Sequence, residues 1–484
     1  MLPSGTATNL FIHGSSLTEI HGNANYHTIG SINLHESGQT RIPMVLSENH
    51  FSYLIGLARL FQASAKDAAY DSLGRHPPSK CHPGTRLDII GTIEHWIMST
   101  TGPAVFWLHG PAGSGKSAIA QTICESSAER DQLLASFFFK RGSPDRAGIR
   151  NFTPTLAFHV AMSRTDLRQP IGDAIEADFG ILHRSTLTQF LKLIIEPLRS
   201  STHSQSAPFL LVIDGLDECE DKDDQMQILF HISELTTKYR LHVRCLITSR
   251  PEPHIKHFFD VSMGQNHSVV VSVYGDGSQY GDVYRFLRNK FDEISASERH
   301  APALAHTPKP WPANDIVRLL AEKSDGYFIY ASTLLKYIDD EFSPCTKRLQ
   351  EVLQATGPAP TAFAELDKLY TQILSTCPNT QLLSRVLGCL IIIPTYYLDQ
   401  SPQTVEHVLE LWPGEGVTIL RGLHAVLNFQ HNIAKPFHAS LPDFLFDENR
   451  SNKFYIDPQI CHVDIVLHIL RSITQWEPKE GDTE

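Results

Sequence analysis

Apolar residues fall into two patterns along the chain. Short, nearly unbroken apolar or aromatic runs occur at Val105–His109, Ala135–Lys140, Phe209–Ile213 and Leu241–Arg250, each closed by polar residues, Gly or Pro. A run without alternation predicts a strand buried on both faces, as in a parallel sheet. Apolar residues at 3–4 spacing predict helices over about 46–72 (Leu54, Ile55, Leu57, Leu60 and Phe61 on one side), 87–98, 152–175 and 187–198. The same spacing predicts helices over 282–294, 313–324, 327–341 and 363–375. Further helices are expected over 382–393, 401–411 and 418–427, then short hairpin strands at Leu427–Phe429 and Asn432–Pro436. A helical stretch to Phe446 and a last helix over 464–474 follow. Strands alternating with helices predict an α/β domain with a parallel sheet and helices on both faces. A helical domain and a winged-helix domain are expected after it. No repeat of 20–50 residues is visible.

The first run leads into Gly110, Pro111, Ala112, Gly113, Ser114, Gly115, Lys116 and Ser117, with Ala118 opening a helix. This is G-x-x-x-x-G-K-[ST] between strand and helix, the phosphate-binding P-loop. Its glycines let the backbone form a concave nest of N–H groups, and the helix start adds its free donors and dipole. Lys116 brings a charge to the outer phosphates, and the Ser117 hydroxyl is a candidate Mg²⁺ ligand.

The run from Phe209 ends in Asp214-Gly-Leu-Asp217-Glu218. A carboxylate at a strand tip downstream of a P-loop suits the metal side of a phosphoryl-transfer site. Asp214 is therefore the expected Mg²⁺ residue, and Asp217 and Glu218 are candidates to orient or deprotonate water. The run from Leu241 ends in Thr248-Ser-Arg250, making Arg250 a candidate phosphate sensor at the same sheet edge. Asn289-Lys-Phe-Asp292 spells the guanine-reading N-K-x-D. It lies among Val283, Phe286, Leu287, Phe291 and Ile294 at helical spacing, and is expected to be a helix face rather than a base reader. Cys81-His82 has no second pair at ligand spacing and is read as structural.

Composition narrows the picture. With 484 residues the chain has room for roughly three domains of ~150. Lys and Arg total 41 against 53 Asp and Glu, a formal charge of −12 that disfavours nucleic-acid partners. Eight scattered cysteines without CxxC argue for a reducing compartment. No basic leader and no apolar run long enough for a membrane span is visible, so the expected location is cytoplasmic. Residues 1–45, rich in Gly, Ser and Asn, read as a disordered tail. Alternatively, the stretches Leu17–Ile20 and Ile29–Leu34 form short β-arches.

GPAGSGKS, FLLVIDGLDEC, CLITSRPEP, SDGYFIYAS, LDKLYTQIL and FHASLPDFLFDENRSNKFYID occur in this order. The chain thereby resembles fungal NACHT-type signal-transduction (STAND) P-loop NTPases with nephrocystin-3-like N-terminal modules, over about residues 75–475. Cys81-His-Pro-Gly-Thr-Arg86 resembles the lead-in of those proteins. The resemblance implies a nucleotide-binding domain over 75–278, a helical domain over 279–375 and a winged-helix domain with a C-terminal helix over 376–475. Residues 46–74 precede them as helix and linker, and an acidic tail, 476–484, follows. It implies an ATP/ADP switch with Mg²⁺: Lys116 and Ser117 on phosphate and metal, Asp214 on metal, Arg250 on the γ-phosphate. It also implies His438 on the β-phosphate of ADP, and Thr85 and Arg86 near adenine or ribose. Such proteins usually carry a repeat sensor, and none follows the winged helix here.

Three functions follow. The first is a slow ATPase acting as a switch that oligomerises with itself on activation, in immunity- or incompatibility-like signalling. The second is a sensor-less regulator or decoy that holds ADP without appreciable turnover and partners with full-length relatives. The third is a housekeeping ATPase.

Overall fold

The computed structural model describes residues 7–13, 16–22, 48–201, 208–264, 266–273, 279–341, 343–354, 362–377, 379–396, 398–430 and 433–474. β1 (Ala7–His13) and β2 (Ser16–Gly22) pair as an antiparallel hairpin. Leu17–Ile20 thus lies in a strand. The second arch stretch and the acidic tail lie outside the described residues.

Residues 105–272 are built on one parallel sheet. β3 (Val105–His109), β4 (Leu133–Phe138), β5 (Phe209–Asp214), β6 (Val243–Ser249) and β7 (Ser268–Ser272) are ordered β4-β5-β6-β3-β7. Parity explains the unbroken apolar runs. Val105, Trp107, Leu211, Ile213, Cys245 and Ile247 enter the core on one face. Phe106, Leu108, Leu210, Val212 and Leu246 enter the core on the other. The second face is covered by the helices Leu87–Met98 and Lys116–Glu129. The first is covered by Phe152–Ser163, Thr165–Ala177, the helical stretch 186–200 and Lys222–Ser233. This is the α/β P-loop architecture.

Several boundaries move. The strand expected over 135–140 spans 133–138. The helix expected over 152–175 breaks at Arg164, whose backbone is extended (φ −124°, ψ 103°) while its guanidinium grips Asp166 at 2.9 Å. The N-terminal helix stops at Ala63. It packs across Thr165–Ala177 so closely that a Cβ on Gly56 would stand 2.3 Å from the Gly172 carbonyl oxygen. Residues 64–72 then run along the β4 edge. Ala65 N–H donates to Thr155 Oγ1 (2.8 Å), Tyr70 N–H to Ser136 Oγ (3.0 Å) and Phe138 N–H to the Ala68 carbonyl (2.9 Å). Packing therefore does not divide the chain near residue 75.

After β7 the described chain is largely helical. The N-K-x-D residues lie in the helix Gln279–Ala296: Phe291 is buried, Asp292 pairs with Arg288 at 2.8 Å and Asn289 reaches His82 at 3.0 Å. A helix at Cys345–Gln354 was not visible in the sequence pattern. The helices Thr380–Ile392, Pro402–Val408 and Glu415–Arg421 lead into the antiparallel pair β8 (Leu427–Gln430) and β9 (Ile433–Pro436). The helices Ser440–Leu445 and Pro458–Thr474 follow. One continuous core joins Val283 to Ile465, so the two C-terminal regions pack as one body.

Candidate phosphate-binding site

The loop leaves the C-terminal end of β3, where parallel α/β sheets place their ligands. Gly113 (φ 72°) needs to be glycine for a second reason: a Cβ there would lie 2.2 Å from Cγ2 of Ile329, and Ile329 N–H approaches the Gly113 carbonyl at 3.4 Å. The helix Phe328–Ile338 therefore seats directly on the loop. Lys116 is buried and folds back, donating to the carbonyls of Gly110 (2.8 Å) and Pro111 (2.9 Å). Burial pushes its pKa down, against the pull of Asp217, Asp214 and Glu218. Ser114 is buried within the loop, while Ser117 is exposed at its mouth.

The sheet register brings the other groups to this end. Ile213 lies beside Ile247, and Leu108 beside Thr248. Thr248 donates its hydroxyl to Asp214 Oδ1 (2.6 Å) and accepts from Gly215 N–H (3.0 Å). Burial, the largest influence, raises the Asp214 pKa, against the pull of its neighbours Thr248, Ser117, Arg75 and Lys116. Asp217 is buried. It accepts from Arg250 N–H at 2.9 Å and pairs with Arg250 Nε at 3.1 Å. Glu218 is half-buried and accepts from Arg141 N–H at 3.3 Å. Burial, then the charges of Asp217 and Asp214, push its pKa up to about 7.

The C-terminal body closes one side. Arg250 Nη2 is 2.8 Å from Asp443 Oδ2. His438 Nδ1 accepts from Ser440 N–H at 3.0 Å, which leaves the proton of the neutral ring on Nε2. Burial first, then the cations Lys116 and Arg250, push its pKa down to about 4, so the ring is neutral at pH 7. Asp443 is engaged by Arg250, and His438 is held by Ser440. A cavity of about 540 Å³ lies between Pro111, Ala112, Arg250, Ser440, Asp443 and Arg450.

Arg86 reaches the loop from the segment ahead of the helix Leu87–Met98, with Thr85 beside it. Both are buried. The Thr85 hydroxyl donates to the His82 carbonyl (2.7 Å), and Arg86 Nη2 donates to the carbonyls of Ser114 (2.9 Å) and Gly326 (3.4 Å). The Arg86 backbone N–H donates to Asp282 (2.9 Å). The Arg86 guanidinium thus braces the loop, while Thr85 braces the turn just ahead of it. The structure thus brings Lys116, Ser117, Asp214, Asp217, Glu218, Arg250 and His438 to one place.

Sequence reasoning missed Arg141 and the Asp443–Arg250 pair, and gave Thr248 no partner. Arg141 directly follows the expected second strand, a position comparable to that of Arg250 after its own strand, and this was the available signal. Asp443 and Arg250 are 193 residues apart and carry no local signal.

Residues 89–250 match the family model "Nephrocystin 3, N-terminal", about a third of the chain. No curated protein matches. Among solved structures, Drosophila ORC bound to DNA is 11% identical with a TM-score of 0.32, over 89% of this chain and 96% of that one. Cdc6p from Pyrobaculum aerophilum is 14% identical with a TM-score of 0.34, over 82% and 97%. AMPPCP-bound DnaA from Aquifex aeolicus is 9% identical with a TM-score of 0.28, over 81% and 96%. Likeness at this level identifies no function.

Proposed function

We propose that this chain is an ATP/ADP-binding switch of NACHT type that hydrolyses ATP slowly and self-associates in its ATP state. The observation that carries the nucleotide reading is the convergence of Lys116, Ser117, Asp214 and Thr248 on one end of the parallel sheet. Lys116 and the loop N–H groups bind the phosphates. Ser117 and Asp214 suit Mg²⁺: they are hard oxygen donors at the same end of the sheet, beside the further carboxylates Asp217 and Glu218. The metal, when bound, supplies charge neutralisation at the phosphates. Glu218 takes a proton from the water that attacks the γ-phosphorus, and ADP leaves with the severed bridging oxygen.

The helices at 380–421 followed by β8 and β9 support reading the C-terminal region as a winged helix. On that reading the Nε2–H of His438 reaches the ADP β-phosphate and stabilises the closed form. Loss of one such charge-assisted bond costs about 1.5–3 kcal/mol. His438→Ala is therefore expected to release ADP roughly tenfold faster or more, and to shift the ATP-loaded protein toward larger assemblies by size-exclusion chromatography. An ADP release rate equal to wild type removes His438 from the switch. A second reading, a regulator that holds ADP with little turnover, is favoured by the engagement of Arg250 with Asp443. Single-turnover hydrolysis separates the two.

A further inference from the structure

Arg250 directly follows β6 and Arg141 lies three residues past the end of β4, yet Asp217 holds both. Its carboxylate receives Nε and the backbone N–H of Arg250, and its backbone carbonyl receives Nη2 of Arg141 at 3.1 Å. Each guanidinium is thus anchored along one edge by the region that carries the sheet. The remaining groups converge on a single anion contributed by the other body: Arg250 Nη2 lies 2.8 Å from Asp443 Oδ2, and Arg141 Nη1 lies 3.7 Å from Asp443 Oδ1. Arg450, beside them, is occupied by Asp367 at 2.7 Å. The 540 Å³ cavity runs from Pro111 and Ala112 of the loop to Arg250 and Asp443. Two pre-anchored arginines on a small oxyanion form a recognition unit for phosphate as much as for carboxylate.

We propose that Arg141 and Arg250 form the oxyanion site for the terminal phosphate of a nucleoside triphosphate, and that Asp443 fills this site in the present conformation. The proposal rests on the nucleotide reading above and adds Arg141 as a binding residue and Asp443 as an internal competitor. A diphosphate leaves the Asp443 carboxylate in place. A triphosphate displaces it, so that binding of the third phosphate and release of the helix Ser440–Leu445 are one event. The ratio of ATP to ADP affinity is then set chiefly by Asp443, on top of what the P-loop contributes at the outer phosphates.

The test uses the full chain freed of nucleotide and titrated with Mg²⁺-ADP and with a Mg²⁺-bound non-hydrolysable ATP analogue. Asp443→Asn is expected to tighten the triphosphate at least fivefold and to change ADP less than twofold. Arg141→Gln, at a half-exposed side chain whose loss leaves the core untouched, is expected to weaken the triphosphate roughly tenfold with ADP again within twofold. In the double variant the gain from Asp443→Asn shrinks, because the competition acts through the arginines. An unchanged triphosphate-to-diphosphate ratio in Arg141→Gln overturns the site even if Asp443→Asn does not fold. Equal shifts for both nucleotides reduce Asp443 to an interface contact and overturn the competition. Wild-type protein that binds neither nucleotide overturns the nucleotide reading and the proposal with it, an outcome distinct from binding with an unaltered ratio.

Discussion

Lys116→Ala is expected to weaken ATP and ADP binding by about 100-fold, about 3 kcal/mol, while leaving the fold intact. The reason lies in what Lys116 does without ligand. Its ammonium is buried, its pKa is pushed down by that burial, and its donors are spent on the carbonyls of Gly110 and Pro111. Such a group is held at a cost that phosphate oxygens offset. Removing it deletes an unfavourably desolvated charge along with two loop hydrogen bonds, so the ligand-free melting temperature should move little. The melting-temperature rise produced by saturating nucleotide should vanish, because it depends on affinity. Thermal unfolding with and without ADP reads both quantities. A variant that keeps ATP binding within threefold of wild type would remove the loop from the site.

Glu218→Gln is expected to lower single-turnover hydrolysis by 100-fold or more with nucleotide affinity nearly unchanged. A general base must be charged to accept a proton. Burial and the neighbouring charges of Asp217 and Asp214 push the Glu218 pKa up to about 7. The group is neutral below that value and ionised above it, so wild-type hydrolysis should rise with pH through about 7 rather than through the ordinary carboxylate range near 4.5. Asp217→Asn removes a like charge and should shift the rise to lower pH. The stability sign is opposite. A raised carboxyl pKa contributes stability that is complete below the unfolded value and lost as pH climbs through about 7. Glu218→Gln should therefore melt no lower than wild type at pH 8. Hydrolysis by Glu218→Gln at the wild-type rate assigns the base elsewhere, with Asp217 the next residue to vary.

What could be read from the sequence was local. The helix Leu87–Met98 and the strand Val105–His109 have the bounds their apolar patterns predict, because each buries its pattern against one layer. Asp214 stands at its strand tip as expected, since a strand end is a position in sequence as well as in space. β7 was missed: its valines stand between two serines on an edge strand that is partly exposed, a weaker signal than a central run. The break at Arg164 was missed because apolar spacing continues across it. The contacts that make the site a two-body arrangement were also hidden. Ile329 against Gly113, Arg86 against Gly326 and Asp443 against Arg250 join residues more than 190 positions apart. Only packing of the two cores brings them together.

The central claim, that the loop Gly110–Ser117 is a nucleotide site, is tested most directly by equilibrium titration of the nucleotide-free full chain. ATP, ADP and GTP would be titrated separately with Mg²⁺. Saturable one-to-one binding of ATP and ADP, with GTP much weaker because 289–292 lie in a helix, is the predicted result. No saturable binding of any of the three at millimolar concentration would contradict it.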